Sequence, residues 1–393
     1  MRVVFAGQTY APSTNGPAVF TTNLAEALAA RGHRAMAIVP APDGRRHRET
    51  RNGVAVEALP AVVSRRLGVA VTAFPGREVG QLLERFRPDV VHIQDHYPTS
   101  RAVLAAARRR GLAVVGTNHF VPENIALQLP LAGAARRPVE AVLWWTVVTV
   151  FRRLDAVATP SRTAAALLQP RLPEQAVEAI SCGVDTGRFR PRPAAERDAL
   201  RRRFDLPASA SVALYVGRVD SDKNVALLLT AMARTPEPGL LLVAGRGLQL
   251  ETLRTRARRA GLDGRIRFLG YVEDAALPDL YAASDLFVMP SAVELLSIAT
   301  LEALASGLPV AAARAGALPE LVEEGVTGTL FDPADANAAA AALHALAGAR
   351  EAWPRLAVAA RARAEQHGIG RTRERYEALY REVAGVRPAA TAT

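Results

Sequence analysis

Two glutamates, Glu294 and Glu302, stand eight positions apart in "MPSAVELLSIATLEALASG" (289–307), an otherwise apolar run with a serine between them and a glycine at its end. A buried helix needs neither acid. In one continuous helix the two carboxylates would lie roughly 12 Å apart along the axis, too far to act together. If Glu294 instead lies in a loop and the helix starts near Ser297, both acids border one cavity. The free N–H groups of the helix N-terminus then face that cavity as well.

A second position supplies the opposite charge. Of the 49 basic side chains, 48 are arginine and Lys223 is the only lysine. It follows a strand-like run in "VALYVGRVDSDKN", five residues after Arg218. Arginine presents a wide planar fork, whereas lysine is a compact point charge that fits against a phosphate in a tight site. Arg218, Lys223 and a helix beginning near Ser297 together describe a diphosphate site that needs no metal. In that arrangement Glu302 accepts hydrogen bonds from a ribose and Glu294 holds sugar hydroxyls. Arg246, after the next strand, is a further candidate cation.

The first half of the chain offers neutral groups. His119 follows a strand in "VVGTNHFVPENI", His96 ends another in "HIQDHYPTS", and Asn15-Gly16 occupies the loop after the first strand in "YAPSTNGPAVF". Glycine at 16 lets a ligand approach the backbone. Cys182 has no evident histidine partner and reads as core.

Around these groups, short apolar runs alternate with amphipathic helical stretches. The strand candidates are residues 2–7, 34–40, 90–95, 113–118, 156–161, 211–217, 239–245, 265–270, 285–291 and 309–314. Continuous apolar strands alternating with helices predict an α/β fold whose parallel sheets are covered on both faces. The pattern runs twice, pausing at the Pro-, Gly- and charge-rich segment 181–210. It therefore predicts two Rossmann-like domains, residues 1–184 and 185–369, with a helix near 370–386 packing back on the first. Every candidate site residue falls at a strand's carboxyl end, where open parallel sheets bind ligands.

Composition excludes several classes. At 393 residues, 50% apolar and 22% charged, the chain is globular. A single cysteine rules out an intramolecular disulfide framework and suits a reducing cytoplasm. No apolar run approaches the roughly 20 residues of a spanning helix. The net charge of +11 is concentrated in residues 1–184, which hold 22 arginines against 13 acids. Sparse aromatics that do not interleave with the basic residues argue against nucleic acid. A nicotinamide-binding unit is also disfavoured. "AGRGLQL" (244–250) has Leu250 where a third glycine belongs, and no acid closes the following strand.

Taken in order, these motifs resemble the retaining glycosyltransferases of family 4, which have the GT-B fold of two Rossmann-like domains facing across a cleft. The resemblance covers nearly the whole chain: the loop at Gly16, "TNHFVPENI", "GVDTGRFRP", "VGRVDSDKN", "LGYVEDAAL" and the E-x7-E run. It implies a nucleotide-sugar donor, most readily UDP-linked, no metal cofactor, and front-face departure of the nucleoside diphosphate. It also implies roles. Arg218 and Lys223 neutralise the diphosphate, with Gly16 and the backbone around Leu296 and Ser297 close by. Glu302 binds the ribose, Tyr271 and Val272 flank the base, Glu294 grips the sugar, and His119 contacts the donor at the reaction centre. Many relatives read E-[TG]-F-G where this chain reads Glu294-Leu295-Leu296-Ser297.

Two alternatives stand beside a transferase acting on a soluble hydroxyl acceptor. Residues 136–153 carry arginine pairs around Trp144 and Trp145, as an interfacial helix of a glycolipid-forming enzyme would. The altered loop after Glu294 would also suit a non-catalytic nucleotide-sugar-binding module.

Overall fold

The computed structural model describes residues 1–13, 15–64, 69–122 and 136–385. Within these, residues up to 122 together with 136–182 and 369–385 form one compact unit, and residues 183–368 form a second.

The first unit is built on β1 (Arg2–Ala6), β2 (Arg34–Pro40), β3 (His47–Arg51), β4 (Val54–Leu59), β7 (Val90–Ile93), β8 (Ala113–Thr117), β9 (Ala156–Thr159) and β10 (Val177–Ala179). These make one sheet in the order β10-β9-β8-β7-β1-β2-β4-β3, with every neighbour parallel except β3 against β4. Strands β5 (Ala61–Ser64) and β6 (Val69–Thr72) form a separate antiparallel hairpin. The second unit holds β11 (Val212–Val216), β12 (Leu240–Ala244), β13 (Ile266–Gly270), β14 (Leu286–Met289), β15 (Val310–Ala313) and β16 (Gly328–Phe331) in the order β13-β12-β11-β14-β15-β16, all parallel.

The apolar runs explain the sheets. All five residues of β12 and all four of β14 and β15 are buried, as strands covered on both faces require. All ten expected strands are present; six others were not expected. β10 and β16 are only three and four residues long. β3 is an exposed polar edge, "HRETR". In β4 the apolar run is broken by Glu57, buried at 3% exposure and paired with its cross-strand neighbour Arg48.

The C-terminal helix Ile369–Ala384 lies against helix Gly16–Ala29 and β8. Its fully buried Tyr376 and Tyr380 reach polar partners in the sheet. Tyr380 Oη lies 2.7 Å from His92 Nδ1, His92 Nε2 lies 2.7 Å from Thr117 Oγ1, and Thr117 Oγ1 lies 2.7 Å from Tyr376 Oη. A histidine in mid-strand is tolerated there because both ring nitrogens are bonded.

Candidate functional site

In the second unit, β11 delivers the chain to Arg218, and a short 3-10 turn, Ser221–Lys223, presents the lysine. Asn224 fixes that turn by donating through Nδ2 to Pro333 O at 2.9 Å and to Pro290 O at 3.4 Å. Ser291 Oγ donates to Asp222 O at 3.2 Å. The lysine turn is thus fastened to the start of the loop after β14, which carries Glu294. Lys223 Nζ meets Glu294 Oε1 at 2.7 Å, with the two side chains 17% and 9% exposed.

That loop is held from its other side. Glu294 O accepts from Ala317 N at 2.9 Å, and Gly316 passes so close that a Cβ would sit 2.5 Å from Glu294 O. Leu296 packs on the core, and the helix Ile298–Ala305 starts directly after it. Ser297 is its N-cap, with Oγ accepting from Thr300 N at 3.2 Å. Glu294 therefore lies in the loop and Glu302 in the helix, and the helix N-terminus lies between them in sequence.

Glu302 sits in an apolar setting. Its Oε2 accepts from the hydroxyl of Tyr281 at 2.9 Å, and Tyr281 is itself fully buried. Burial pushes the Glu302 carboxyl up to about 7, opposed by the Tyr281 hydrogen bond and then by Arg188. A carboxylate so placed wants further donors.

The cations are not free. Arg218 donates to Asp222 at 2.7 Å and also pairs with Asp220, so with the Lys223–Glu294 pair two cations meet three carboxylates. The acids have structural duties too. Asp220 Oδ1 accepts from Leu248 N at 2.7 Å, which pins the Gly245–Gly247 loop to the arginine turn. Lysine still has two N–H donors beyond Glu294, and Arg218 remains 45% exposed on its side chain. Arg246 is exposed and stacks 5.0 Å above the ring of Tyr271, while Val272 packs on the core.

In the first unit, β7 and β8 end at a cluster of neutral polar groups. His119 Nε2 donates to Gln94 Oε1 at 3.1 Å, and its ring packs 4.6 Å from Phe20. Burial drives the His119 pKa down to about 3. His96 stacks on Tyr97 at 4.7 Å, and burial, aided by Arg101, lowers it to about 4. Among the described residues, Gln94 Nε2 and His96 Nδ1 are buried without a partner. Between them in sequence Asp95 accepts from Gln8 N, Tyr97 N and Ser100 Oγ at 2.5, 3.0 and 2.7 Å. Asn15 caps helix Gly16–Ala29, accepting from Ala18 N at 3.0 Å. Among the described residues, and apart from its chain neighbours and its own helix backbone, no atom lies within 4 Å of where a Cβ on Gly16 would be. Cys182 is buried, and its thiol is pushed up to about 12, as befits a core residue.

Comparison with known proteins covers both units. The family described as Glycosyltransferase Family 4 matches residues 14–188, and that described as Glycosyl transferases group 1 matches residues 196–363. The D-inositol 3-phosphate glycosyltransferase 2 of Catenulispora acidiphila is 32% identical over 318 residues, covering 74% of each chain. The chain belongs to glycosyltransferase family 4.

Among other relatives of this family 4 chain, the GDP-mannose-dependent alpha-mannosyltransferase of Corynebacterium glutamicum is 28% identical over 351 residues, 85% of this chain and 78% of that one. The solved sucrose-phosphate synthase of Thermosynechococcus elongatus superposes with a TM-score of 0.78 at 22% identity, covering 98% of this chain and 100% of that one. The two α/β units with parallel sheets are the GT-B architecture.

The structure thus brings Lys223, Glu294 and Ser297 into one frame and gathers His119, His96 and Asn15 at strand ends of the other unit. Several residues escaped the sequence reading. Asp220 and Asp222 stood inside a quoted motif, but their spacing from Arg218 carries no sign of pairing. Tyr281, 21 residues before Glu302, looked like an ordinary helical aromatic. Arg188 lies inside "GVDTGRFRP", but nothing in the sequence links it to Asp274, and nothing ties Gly316 to Glu294. Among the described residues no helix is long and apolar enough to cross a membrane.

Proposed function

We propose that this family 4 chain is a retaining hexosyltransferase that moves a sugar from a nucleoside diphosphate to a hydroxyl acceptor without a metal. The observation that carries the reading is the Lys223–Glu294 pair at 2.7 Å beside the helix N-terminus capped by Ser297. In this reading, the bond from the anomeric carbon to the diphosphate breaks as the acceptor oxygen bonds to the same face of that carbon. The acceptor proton passes to the departing phosphate. Arg218, the two remaining N–H groups of Lys223 and the helix N-terminus offset the charge growing on the leaving group. Glu302 accepts from ribose hydroxyls, Glu294 from the sugar, and Tyr271 with Val272 lies along the base. Arg246, stacked on Tyr271, is assigned to the nucleotide.

His119 receives an orienting role. With its pKa lowered to about 3 it is neutral across the working range, which suits a hydrogen-bond partner and not a proton carrier. Gln94 Nε2 and His96 Nδ1, buried with no partner among the described residues, are assigned to acceptor hydroxyls. Gly16, whose Cβ position is open among the described residues, is assigned to close approach of the donor.

The test is release of nucleoside diphosphate from UDP-glucose and from GDP-mannose in the presence of EDTA, with a panel of sugar and polyol acceptors. Turnover of one donor, lost in Lys223→Ala and Glu294→Gln, supports the reading. Full activity in Glu294→Gln, or turnover that requires added metal, would overturn it.

One observation favours a lipid-borne acceptor as the second reading. On helix Arg136–Phe151, Val142 and Trp145 are 61% and 66% exposed on one face, with exposed Arg152 and Arg153 following. Trp144 points inward instead, under the Arg171 guanidinium at 3.9 Å. Co-sedimentation with phosphatidylglycerol vesicles, weakened in Trp145→Ser and absent with phosphatidylcholine, would establish it. Equal recovery with and without vesicles would remove it.

A further inference from the structure

Arg188 has no role in the reading above, yet three separate contacts fix it where the nucleotide site needs a charge. It sits in the turn 185–189, where Asp185 Oδ1 accepts from Gly187 N at 2.9 Å and from Arg188 N at 3.0 Å. Arg361, on helix Trp353–Gln366, fastens that turn to the helix carrying Glu302. Its Nη2 donates to Thr186 O at 2.7 Å, and its Nη1 donates to Phe189 O and Ala305 O, each at 2.8 Å. The backbone of Arg188 is thereby held in register with the helix Ile298–Ala305.

The side chain reaches the opposite wall. Its Nη2 lies 2.8 Å from Asp274 Oδ2 and donates to Asp274 O, in the segment that follows Tyr271 and Val272. Its guanidinium stacks 5.0 Å over the ring of Phe189, and Phe189 meets Tyr281 edge-on at 5.6 Å. Tyr281 donates to Glu302 at 2.9 Å. Arg188 thus pairs directly with the base-flanking segment and reaches the Tyr281–Glu302 pair through Phe189.

We propose that Arg188 is a positioning residue for the nucleotide site: anchored on Asp274 and stacked on Phe189, it holds the segment after Tyr271 in register with the Tyr281–Glu302 pair, so that Glu302 can accept from ribose hydroxyls. The inference rests on the nucleotide-binding reading of this unit. The groups that act on Glu302 are few. Burial opposes its ionisation most strongly, the Tyr281 hydroxyl and Arg188 favour it, and Asp274 opposes it. Burial is the largest influence on the Glu302 carboxyl, poised about 7, and the Arg188 charge acts against it, so losing that charge shifts the pH at which the site becomes competent. Only the ionised carboxylate accepts on both oxygens, so affinity rises with pH through that region.

The experiment is calorimetric titration of the full chain with GDP and with UDP from pH 5.5 to 8.5, for the wild type, Arg188→Met, Arg188→Lys and Asp274→Asn, with each variant's melting temperature recorded. The nucleotide's own phosphate titration is common to all four and cancels in the comparison. Arg188→Met should move the midpoint of the affinity rise upward and weaken binding at pH 7 roughly fivefold, the change expected for a shift of about one unit. Arg188→Lys should restore most of it. Asp274→Asn should move the midpoint downward, by less, because Asp274 is 71% exposed on its side chain. Opposite signs from two substitutions that both break the same ion pair separate an electrostatic role from a merely structural one. Unchanged midpoints in Arg188→Met and Asp274→Asn would overturn the role of Arg188 and leave the nucleotide site standing. Failure of the wild type to bind either nucleotide would remove the site itself, and the inference with it.

Discussion

Lys223 and Glu294, 71 positions apart in sequence, meet at 2.7 Å, so the chain's single lysine is paired with the first acid of the E-x7-E run. Neither side chain could hold its place alone. The lysine turn is tied to Pro290 and Pro333 through Asn224, and the glutamate loop is tied to Ala317. The pair joins the β11 and β14 strand ends of the second unit. Substituting one member leaves the other charged and largely out of water, so Lys223→Ala should lower the melting temperature by several degrees. Adding Glu294→Gln to Lys223→Ala should recover part of that loss, as a double-mutant cycle would register.

Glu302 has a stability cost that its function would explain. Its pKa is raised from 4.5 in the free side chain to about 7 in the fold. The folded state therefore holds a proton that the unfolded chain gives up, and stability falls as pH rises from about 4.5 to about 7. Glu302→Gln keeps an acceptor for Tyr281 and removes that penalty. It should melt higher than the wild type at pH 8, converge with it near pH 4.5, and bind nucleotide more weakly only where the wild-type carboxyl is ionised, at and above about pH 7. Thermal scans across pH check this; equal melting curves at pH 8 would contradict it.

Gly316 is bound to Glu294 by geometry alone. Its φ is +54°, and a Cβ would meet Glu294 O at 2.5 Å and Glu294 N at 2.8 Å. Gly316→Ala should cost roughly 2 kcal/mol in denaturant unfolding and should reduce donor turnover although every charged group is retained.

Gly16 should behave in the opposite way. With an open space where its Cβ would go, at the first position of a capped helix, Gly16→Ala should leave the melting temperature equal or slightly higher. Donor turnover should nonetheless fall, because the methyl occupies the space assigned to the substrate. Unchanged turnover would mean that the glycine serves only the turn.

The buried chain Tyr380–His92–Thr117–Tyr376 should matter for stability alone. Tyr380→Phe leaves His92 Nδ1 without its partner, and burial already keeps that imidazole neutral. A loss of about 1–3 kcal/mol in unfolding, with nucleotide affinity unchanged, is the expected outcome.

Much of the scaffold was legible because strands covered on both faces are continuous apolar runs, and β2, β12 and β15 read directly as such. Strands whose partners supply the pairing were not. β3 carries an exposed polar sequence, and β4 contains a buried glutamate satisfied only by Arg48 across the ladder. The site divides in the same way. Lys223 stood out by composition, and the Glu294–Glu302 spacing announced a loop-to-helix boundary that Ser297 supplies with its cap. Where the resembling enzymes carry glycine, serine at φ −94° needs no special backbone and gives the helix a capping hydroxyl. Long-range pairings leave no local signal, which is why Asp220 and Asp222 beside Arg218, Tyr281 beside Glu302 and Arg188 beside Asp274 appeared only in three dimensions.

The most direct measurement is calorimetric titration of the purified chain with UDP and GDP, each with EDTA present, repeated for Lys223→Ala. The account predicts saturable binding of one nucleotide to the wild type, weakened at least tenfold in the variant, since a charge-assisted contact to phosphate contributes about 1.5–3 kcal/mol. Binding of equal strength in Lys223→Ala, or none to the wild type, would contradict it.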